Sequence, residues 1–151
     1  MEAWPSDPLS LERQVCYGLS IASRGVIAAY KPFLDPLGLT HPQYLVMVGL
    51  WQHGTLTVKD LGALLSLNSG TLSPLLKRLE TTGLVTRQRS AADERQVTVA
   101  LTERGTLLRE RAIGVQKEVE KRLGLTQDEL ARLQAVLTRV SQAVAAPARV
   151  D

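Results

Sequence analysis

The chain has 151 residues, which is enough for one domain with its own hydrophobic core. With 44% hydrophobic and 22% charged residues, the composition is ordinary for a globular protein and excludes a disordered or fibrous chain. The formal net charge of +3 permits a nucleic-acid partner without requiring one, and no apolar run approaches the ~20 residues that span a bilayer, so no membrane partner is expected.

The N-terminal part predicts two helices. Apolar residues from Leu11 to Tyr30 recur at steps of three or four and form one helix face, which Pro32 is expected to end. A capping box begins the second helix, because Thr40 is followed three residues later by Gln43. This second helix is strongly apolar, and we expect it to lie at the centre of the fold.

The middle of the chain predicts two short helices, at about 57–65 and 70–82, separated by a tight turn. The period of the pattern then changes from 3.6 to 2. Residues 84–89 and 96–101 alternate as two strands, joined by a polar tip at 90–95. This order of elements is typical of a helix-turn-helix followed by a β-hairpin wing.

Two further helices end the predicted fold. Thr102 is expected to cap the first of them, and Thr126 with Glu129 repeats the capping-box pattern before the second. The last helix carries a narrow heptad-like apolar seam: Leu130, Leu133, Leu137, Val140 and Val144. The predicted fold class is therefore mainly α with a small β-hairpin wing, a winged helix-turn-helix at about 57–101 within a single domain at 1–151.

Short polar side chains at the start of the second middle helix would let its backbone approach DNA bases in the major groove. Later basic residues on that helix suit phosphates, and wing arginines suit the narrow minor groove. Asp93 is placed to hold the guanidinium of Arg95 by a bidentate pair. The predicted DNA-binding residues are Asn68, Ser69, Thr71, Ser73, Lys77, Arg78, Arg87, Arg89, Asp93 and Arg95.

A helix-turn-helix can also serve protein contacts alone, and charged hairpins are common as solvated surface. From the pattern of residues, a protein-interaction module therefore stays open beside DNA binding. No catalytic residue, metal ligand set or cofactor is predicted.

Two stretches resemble the MarR family of winged-helix regulators. LVTRQRSAADERQVTVALTERG is similar to the family's wing with its D-x-R tip, and LNSGTLSPLLKRLETTGLV is similar to its recognition helix. The resemblance covers roughly residues 9–145. It implies a repressor that binds a pseudo-palindromic, double-stranded DNA operator as a homodimer. The dimerisation helices would lie at about 9–35 and 102–146, which agrees with the apolar seams at both ends.

Cys16 is the single cysteine, so no disulfide can form within the chain, and a cytoplasmic location is expected. Taken alone, an isolated cysteine is most often a small buried hydrophobe. Its surroundings, with LERQVC, YKPFLD and PQYL, resemble the organic hydroperoxide resistance regulators within the MarR family. That resemblance implies that Cys16 is the peroxide-reactive residue, aided by hydroxyls of the dimer partner. Tyr30 matches one such position, and His41 replaces a tyrosine at the other.

The resemblance implies a one-cysteine sensor with two effectors, an organic hydroperoxide and a small thiol. Oxidation gives a sulfenic acid, and the thiol then converts it to a mixed disulfide. Two alternatives remain open. A small aromatic ligand could release DNA with Cys16 merely structural, or the chain could be a one-cysteine peroxidase. No convincing peroxidase motif surrounds Cys16, so no enzyme is expected.

Overall fold

The structure, a computed structural model, describes residues 4–145. Within that range six α-helices surround a three-stranded antiparallel sheet, which confirms the predicted fold class. None of these helices is long and apolar enough to cross a membrane. In chain order the elements are α1 Val15–Leu34, α2 His41–His53, β1 Leu56–Thr57, α3 Val58–Leu65, α4 Ser69–Thr81, β2 Val85–Arg89, β3 Val97–Leu101, α5 Glu103–Leu123 and α6 Gln127–Ala145.

Side-chain caps begin most of the helices, and they include the two predicted at Thr40 and Thr102. In each case a side-chain oxygen accepts a hydrogen bond from a backbone N–H of the first turn, which contributes about 1 kcal/mol. The capping residues are Thr40 for α2, Thr57 for α3, Asn68 for α4 and Thr102 for α5. Local chemistry therefore sets where the helices of the central block begin.

The prediction of one helix face from Leu11 to Tyr30, ended by Pro32, is wrong at both ends. Residues Leu11–Arg13 form a separate 3-10 turn, and Gln14 is extended before α1. The Gln14 side chain donates to the backbone oxygens of Pro8 and Ser10, which holds this break in the helix. Pro32 lies inside the last turn of α1, where only a few residues follow and the lost N–H bond can be tolerated.

The sheet contains a strand that the sequence did not predict. The strand order is β1-β3-β2, and the two-residue β1 pairs with β3 so that Leu56 lies opposite Val99. The hairpin itself pairs Arg87 with Val99, and its tip extends over residues 90–96 rather than 90–95. The wing is thus anchored to the segment that leads directly into α3.

Helix α5 packs tightly on the base of the wing. The Thr102 hydroxyl donates to the carbonyl oxygen of Gly83 at 2.6 Å, and Trp51 Nε1 of α2 donates to the carbonyl oxygen of Gly105 at 2.9 Å. A Cβ at Gly105 would overlap the backbone oxygen of Leu84, so only glycine fits this approach. Helices α2 and α5 are therefore rigidly joined to the hairpin.

The core lies between α2, α3, α4, the sheet and the middle of α5, while both ends of the chain leave it. Residues 15–25 of α1 are all exposed, and α6 has no buried residue. Leu133 in the seam of α6 is 47% exposed. These two helices therefore present apolar faces that the single chain does not cover. The small, Pro-interrupted sequence of the tail at 145–151 predicts fraying, and its residues 146–151 lie outside the described residues.

Candidate nucleic-acid interface and cysteine site

A cleft of about 800 Å³ lies between α3, the start of α4 and the wing. Five of the residues predicted to bind DNA line it together: Asn68, Ser69, Ser73, Arg87 and Arg95. The fold thus brings the helix start and the hairpin, which are separated in sequence, to one surface.

Helix α4 divides its residues between this surface and the core. Leu72, Leu76 and Leu79 are buried and fix the helix against the core. The opposite face exposes the predicted contacts Ser69, Thr71, Ser73, Lys77 and Arg78. The side-chain oxygen of Asn68 accepts from the backbone N–H of Thr71 at 2.8 Å, so it holds the helix start as well as lining the cleft.

Arg87 is not a free cation. Its Nη2 donates to Glu80 Oε1 at 3.1 Å, its Nε donates to Glu80 Oε2 at 3.3 Å, and its backbone N–H also donates to Oε2. These hydrogen bonds, together with the positive charge, lower the pKa of the Glu80 carboxyl from its ordinary value. The pair links the recognition-helix candidate α4 to the base of the wing, so Arg87 fixes the position of the wing.

The predicted Asp93–Arg95 side-chain pair is absent from the ion pairs of residues 4–145. Asp93 Oδ1 instead accepts from the backbone N–H of Arg95 at 3.0 Å, and the Asp93 carbonyl accepts from the N–H of Gln96 at 2.9 Å. Asp93 therefore shapes the tight turn at the tip. The side chains of Arg89 and Arg95 are exposed on the wing.

Lys59 also lines the cleft, and sequence reasoning missed it. It is the second residue of α3, where the sequence reads only as the first turn after a cap. Its position gave a signal, because a lysine in the first turn of the first helix of a helix-turn-helix can lie beside the DNA phosphates that the second helix approaches.

Cys16 and the residues predicted to assist it do not meet within one chain. Cys16 is exposed in the first turn of α1, and Tyr30 lies near the end of the same helix. Fourteen residues of helix at 1.5 Å each separate them by about 21 Å. Any contact between Cys16 and Tyr30 therefore has to come from two different chains.

Tyr30 and His41, by contrast, lie together where α1 meets α2. Their ring centroids are 5.1 Å apart in an edge-on arrangement, and the ring of Tyr44 lies 5.4 Å from that of Tyr30. Tyr44 is buried and was not singled out from the sequence, because a tyrosine inside an apolar helix looks like ordinary core. We call Tyr30, His41 and Tyr44 the aromatic cluster.

A polar chain from α5 supports the aromatic cluster. The hydroxyls of Tyr30 and Tyr44 both donate to Gln116 Oε1, at 3.0 Å and 3.4 Å, and Gln116 Nε2 donates to Glu120 Oε1 at 2.9 Å. Gln127 of α6 donates to the other Glu120 oxygen at 2.9 Å. Hydrogen bonds from Gln116 and then Gln127 lower the pKa of the Glu120 carboxyl, so it stays ionised.

Both tyrosines are hydrogen-bond donors here. Burial and the nearby Glu120 carboxylate raise the pKa of Tyr30, and burial, Tyr30 and Glu120 together raise the pKa of Tyr44 to about 12. Each phenol therefore keeps its single proton at neutral pH and can donate it to one acceptor.

The free energy of unfolding is expected to fall as the pH drops below about 6.5, the ordinary pKa of histidine. Burial lowers the pKa of His41, so at low pH this histidine is protonated in the unfolded chain while it stays neutral in the folded chain. This stabilising contribution is complete above the ordinary value and is lost as the pH falls toward the lowered one. Urea unfolding at about pH 7.5 and about pH 5.5 measures the loss.

The control for this prediction is the second histidine. His41→Gln should reduce the difference between the two pH values, whereas His53→Gln, at an exposed position, should leave the contribution of His41 in place. An unchanged pH difference in His41→Gln would contradict the assignment to His41.

Comparison with known proteins finds regulators of transcription. The family model for the transcriptional regulator SarA/Rot matches residues 28–111. The chain is 47% identical over 134 residues to the organic hydroperoxide resistance transcriptional regulator of Bacillus subtilis, covering 87% of this chain and 89% of that protein.

Solved structures give the same picture. The structure of reduced AbfR bound to DNA has a TM-score of 0.75 at 33% identity and covers 89% of this chain and 92% of that chain. The structure of overoxidized AbfR bound to DNA has a TM-score of 0.73 at 32% identity and covers 89% of this chain and 94% of that chain. AbfR is a protein of Staphylococcus epidermidis. Wild-type MarR of E. coli has a TM-score of 0.68 at 27% identity, covering 84% and 96%.

Proposed function

The chain belongs to the MarR-type winged-helix regulators of the organic hydroperoxide resistance group, and on that premise we propose that it is a repressor that releases DNA when Cys16 is oxidised. The observation that carries the proposal is the separation of Cys16 from the aromatic cluster. Cys16 lies at the start of α1 and the aromatic cluster lies at its end, so the two parts of the sensor can meet only in a homodimer.

In the reduced dimer, each α4 enters the major groove with Ser69, Thr71 and Ser73 toward the bases. The exposed wing arginines reach the adjacent minor groove, where negative potential is concentrated. The two recognition helices then contact half-sites of a pseudo-palindromic operator about 34 Å apart. The exposed faces of α1 and α6 form the homodimer interface of the single domain.

In the sensor, Tyr30 and His41 of one protomer face Cys16 of the other. Tyr30 is a donor because its phenol stays protonated, and a donor stabilises the thiolate that attacks peroxide. His41, whose pKa burial lowers, is neutral at pH 7 and donates from one ring nitrogen. Because Cys16 lies in the first turn of α1, the positive end of the helix dipole adds to this stabilisation.

The chemistry has two steps. The thiolate attacks the terminal oxygen of an organic hydroperoxide, the O–O bond breaks, and the alkoxide leaves and takes up a proton to give an alcohol. Cys16 is then a sulfenic acid, which condenses with a small thiol to form a mixed disulfide and water. The mixed disulfide persists until a further external thiol exchanges with it, because the sequence holds no second cysteine to displace the bound thiol.

Thiolation supplies the bulk that drives release. AbfR has been solved on DNA in an overoxidized form, so in that protein added oxygen atoms are compatible with DNA binding. An adduct of amino-acid size or larger at the dimer interface instead separates packed helices. Converting a mostly bound dimer to a mostly free one requires about 5.5 kcal/mol of differential stabilisation.

A gel-shift titration with operator DNA tests the proposal. Cumene hydroperoxide with a small thiol should release DNA, hydrogen peroxide should be less effective, and intact mass should show a thiol adduct. Release by salicylate-like compounds without any change in mass would favour the alternative of a non-covalent aromatic ligand. Sustained peroxide turnover with excess thiol would indicate an enzyme, and failure to shift DNA at all would exclude the repressor.

Lys77→Ala and Arg95→Ala are expected to weaken DNA binding in different ways. Lys77 lies on the exposed face of α4, where a phosphate contact contributes equally to every sequence, so its loss should lower the salt slope by about one for each protomer, or about two for the dimer. Arg95, exposed on the wing, should cost about 1–3 kcal/mol and relax the preference for a narrow minor groove. Fluorescence anisotropy at several salt concentrations measures both effects.

The exposed Lys117 of α5 offers a control, because Lys117→Ala removes a cation that does not line the cleft and lies outside α1 and α6, so it should leave affinity and salt slope unchanged. The division of roles fails if the Lys77 and Arg95 variants lose affinity equally on all DNA sequences with the same salt slope.

A further inference from the structure

The hydrogen-bonding direction of Gln116 is fixed by its neighbours. Glu120 can only accept hydrogen bonds, so the amide nitrogen of Gln116 must face it. Gln127 occupies the other carboxylate oxygen and holds Glu120 in place. The amide oxygen of Gln116 is therefore turned toward the tyrosines, and it can only accept.

The hydroxyls of Tyr30 and Tyr44 accordingly both donate hydrogen bonds to the amide oxygen of Gln116. The bond from Tyr30 is the shorter, at 3.0 Å against 3.4 Å from Tyr44. A phenol has a single proton, so Tyr30 cannot donate it fully to Gln116 and to a second acceptor at the same time. The Tyr30 ring does not depend on Gln116 for its place, since the rings of His41 and Tyr44 pack against it.

We propose that Gln116 is a positioning residue that restrains the sensor, because its amide oxygen holds the Tyr30 proton that Cys16 of the partner subunit competes for. This inference rests on the composite sensor proposed above. The thiolate gains the hydrogen bond of Tyr30 only when the bond to Gln116 is given up. When Cys16 is oxidised to the uncharged sulfenic acid and then thiolated, its negative charge is lost. The Tyr30 hydroxyl then donates its hydrogen bond to Gln116 again.

The hydrogen bond between Gln116 and Tyr30 affects the reactivity of Cys16. A hydrogen bond to a charged group is stronger than one between neutral groups, so Tyr30 can still exchange its bond to Gln116 for one to the thiolate. The competition nevertheless reduces the net stabilisation of the thiolate. Gln116 therefore sets how readily the sensor responds to low concentrations of hydroperoxide, through Tyr30 and without touching the sulfur.

The test uses Gln116→Met, which keeps the length of the side chain and replaces a strong acceptor by a weak one. Cys16 is the single cysteine, so the pH profile of its alkylation by iodoacetamide reads the thiolate directly. In the full-length reduced dimer, the variant should shift this profile to lower pH. Its oxidation by cumene hydroperoxide at neutral pH should be several-fold faster, with unchanged affinity of the reduced protein for DNA. Gln116→Ala provides the same test if the methionine variant does not fold.

The double variant with Tyr30→Phe decides whether the effect runs through Tyr30. Gln116→Met should change nothing in that background, because no phenol proton remains to be released. An unchanged or upward shift in the single variant, or an equal shift with and without Tyr30, overturns the inference. If Tyr30→Phe alone leaves the alkylation profile of Cys16 unchanged, the composite sensor itself fails, and this outcome is distinct from a failure at Gln116.

Discussion

The Cys16→Ser variant is expected to bind operator DNA as tightly as the reduced wild-type protein and to stay bound when organic hydroperoxide and thiol are added. Serine has nearly the same shape but provides no thiolate, so neither sulfenic acid nor mixed disulfide can form. Wild-type protein under the same treatment should lose affinity by about 10⁴-fold if the switch is complete, which corresponds to about 5.5 kcal/mol. Gel shifts paired with intact-mass spectra measure both properties on one sample.

This result depends on Cys16 being outside the folded core. It is exposed in the single chain, so the substitution leaves the interior packing of the protomer unchanged. Tyr17→Phe is a suitable control, since it changes the next side chain in the same exposed stretch and keeps the thiol. A Cys16→Ser protein that still releases DNA in hydroperoxide would sink the redox mechanism and favour a non-covalent ligand.

Features decided by local chemistry were predictable from the sequence. The caps at Thr40 and Thr102 use side chains and backbone groups within three residues, so their pattern predicts where helices begin. The change of period after α4 predicted the wing, because alternation along a strand depends only on which face is buried. The family assignment, made from the wing and the residues around Cys16, is confirmed by the relatives.

Features that depend on distant partners were not predictable. Strand β1 has two residues, too few to show a period, and it exists because β3 passes beside it. The ion pair between Arg87 and Glu80 was not predicted, because the two residues lie on different elements that only the fold brings together. Gln116 is 86 residues from Tyr30 and carries no motif. The roles of Cys16, Tyr30, His41 and the DNA-contact residues stay predictions that the variants above test.

The Leu133→Asp variant is expected to abolish stable dimerisation and, with it, high-affinity operator binding. Leu133 belongs to the apolar seam of α6 and is 47% exposed in the single chain, and in the proposed dimer a second copy covers this seam. Burying the exposed half of a leucine contributes about 1 kcal/mol, and an aspartate buried in its place costs at least about 1 kcal/mol more; twofold symmetry applies this loss twice, giving about 4 kcal/mol. The dissociation constant of the dimer should therefore rise about 10³-fold, as measured by analytical ultracentrifugation.

The matched control is Leu107→Asp, because Leu107 of α5 is 65% exposed and lies outside the seam of α6. It makes the same exchange of apolar for acidic surface and should leave the dimer intact. The loss of DNA binding in Leu133→Asp follows from geometry, since one winged helix contacts one half-site and tethering two gains about 10²–10⁴ in affinity. Tight operator binding by a monomeric Leu133→Asp protein would contradict the dimeric repressor. It would also remove the basis of the composite sensor, because Cys16 and Tyr30 meet only between two chains.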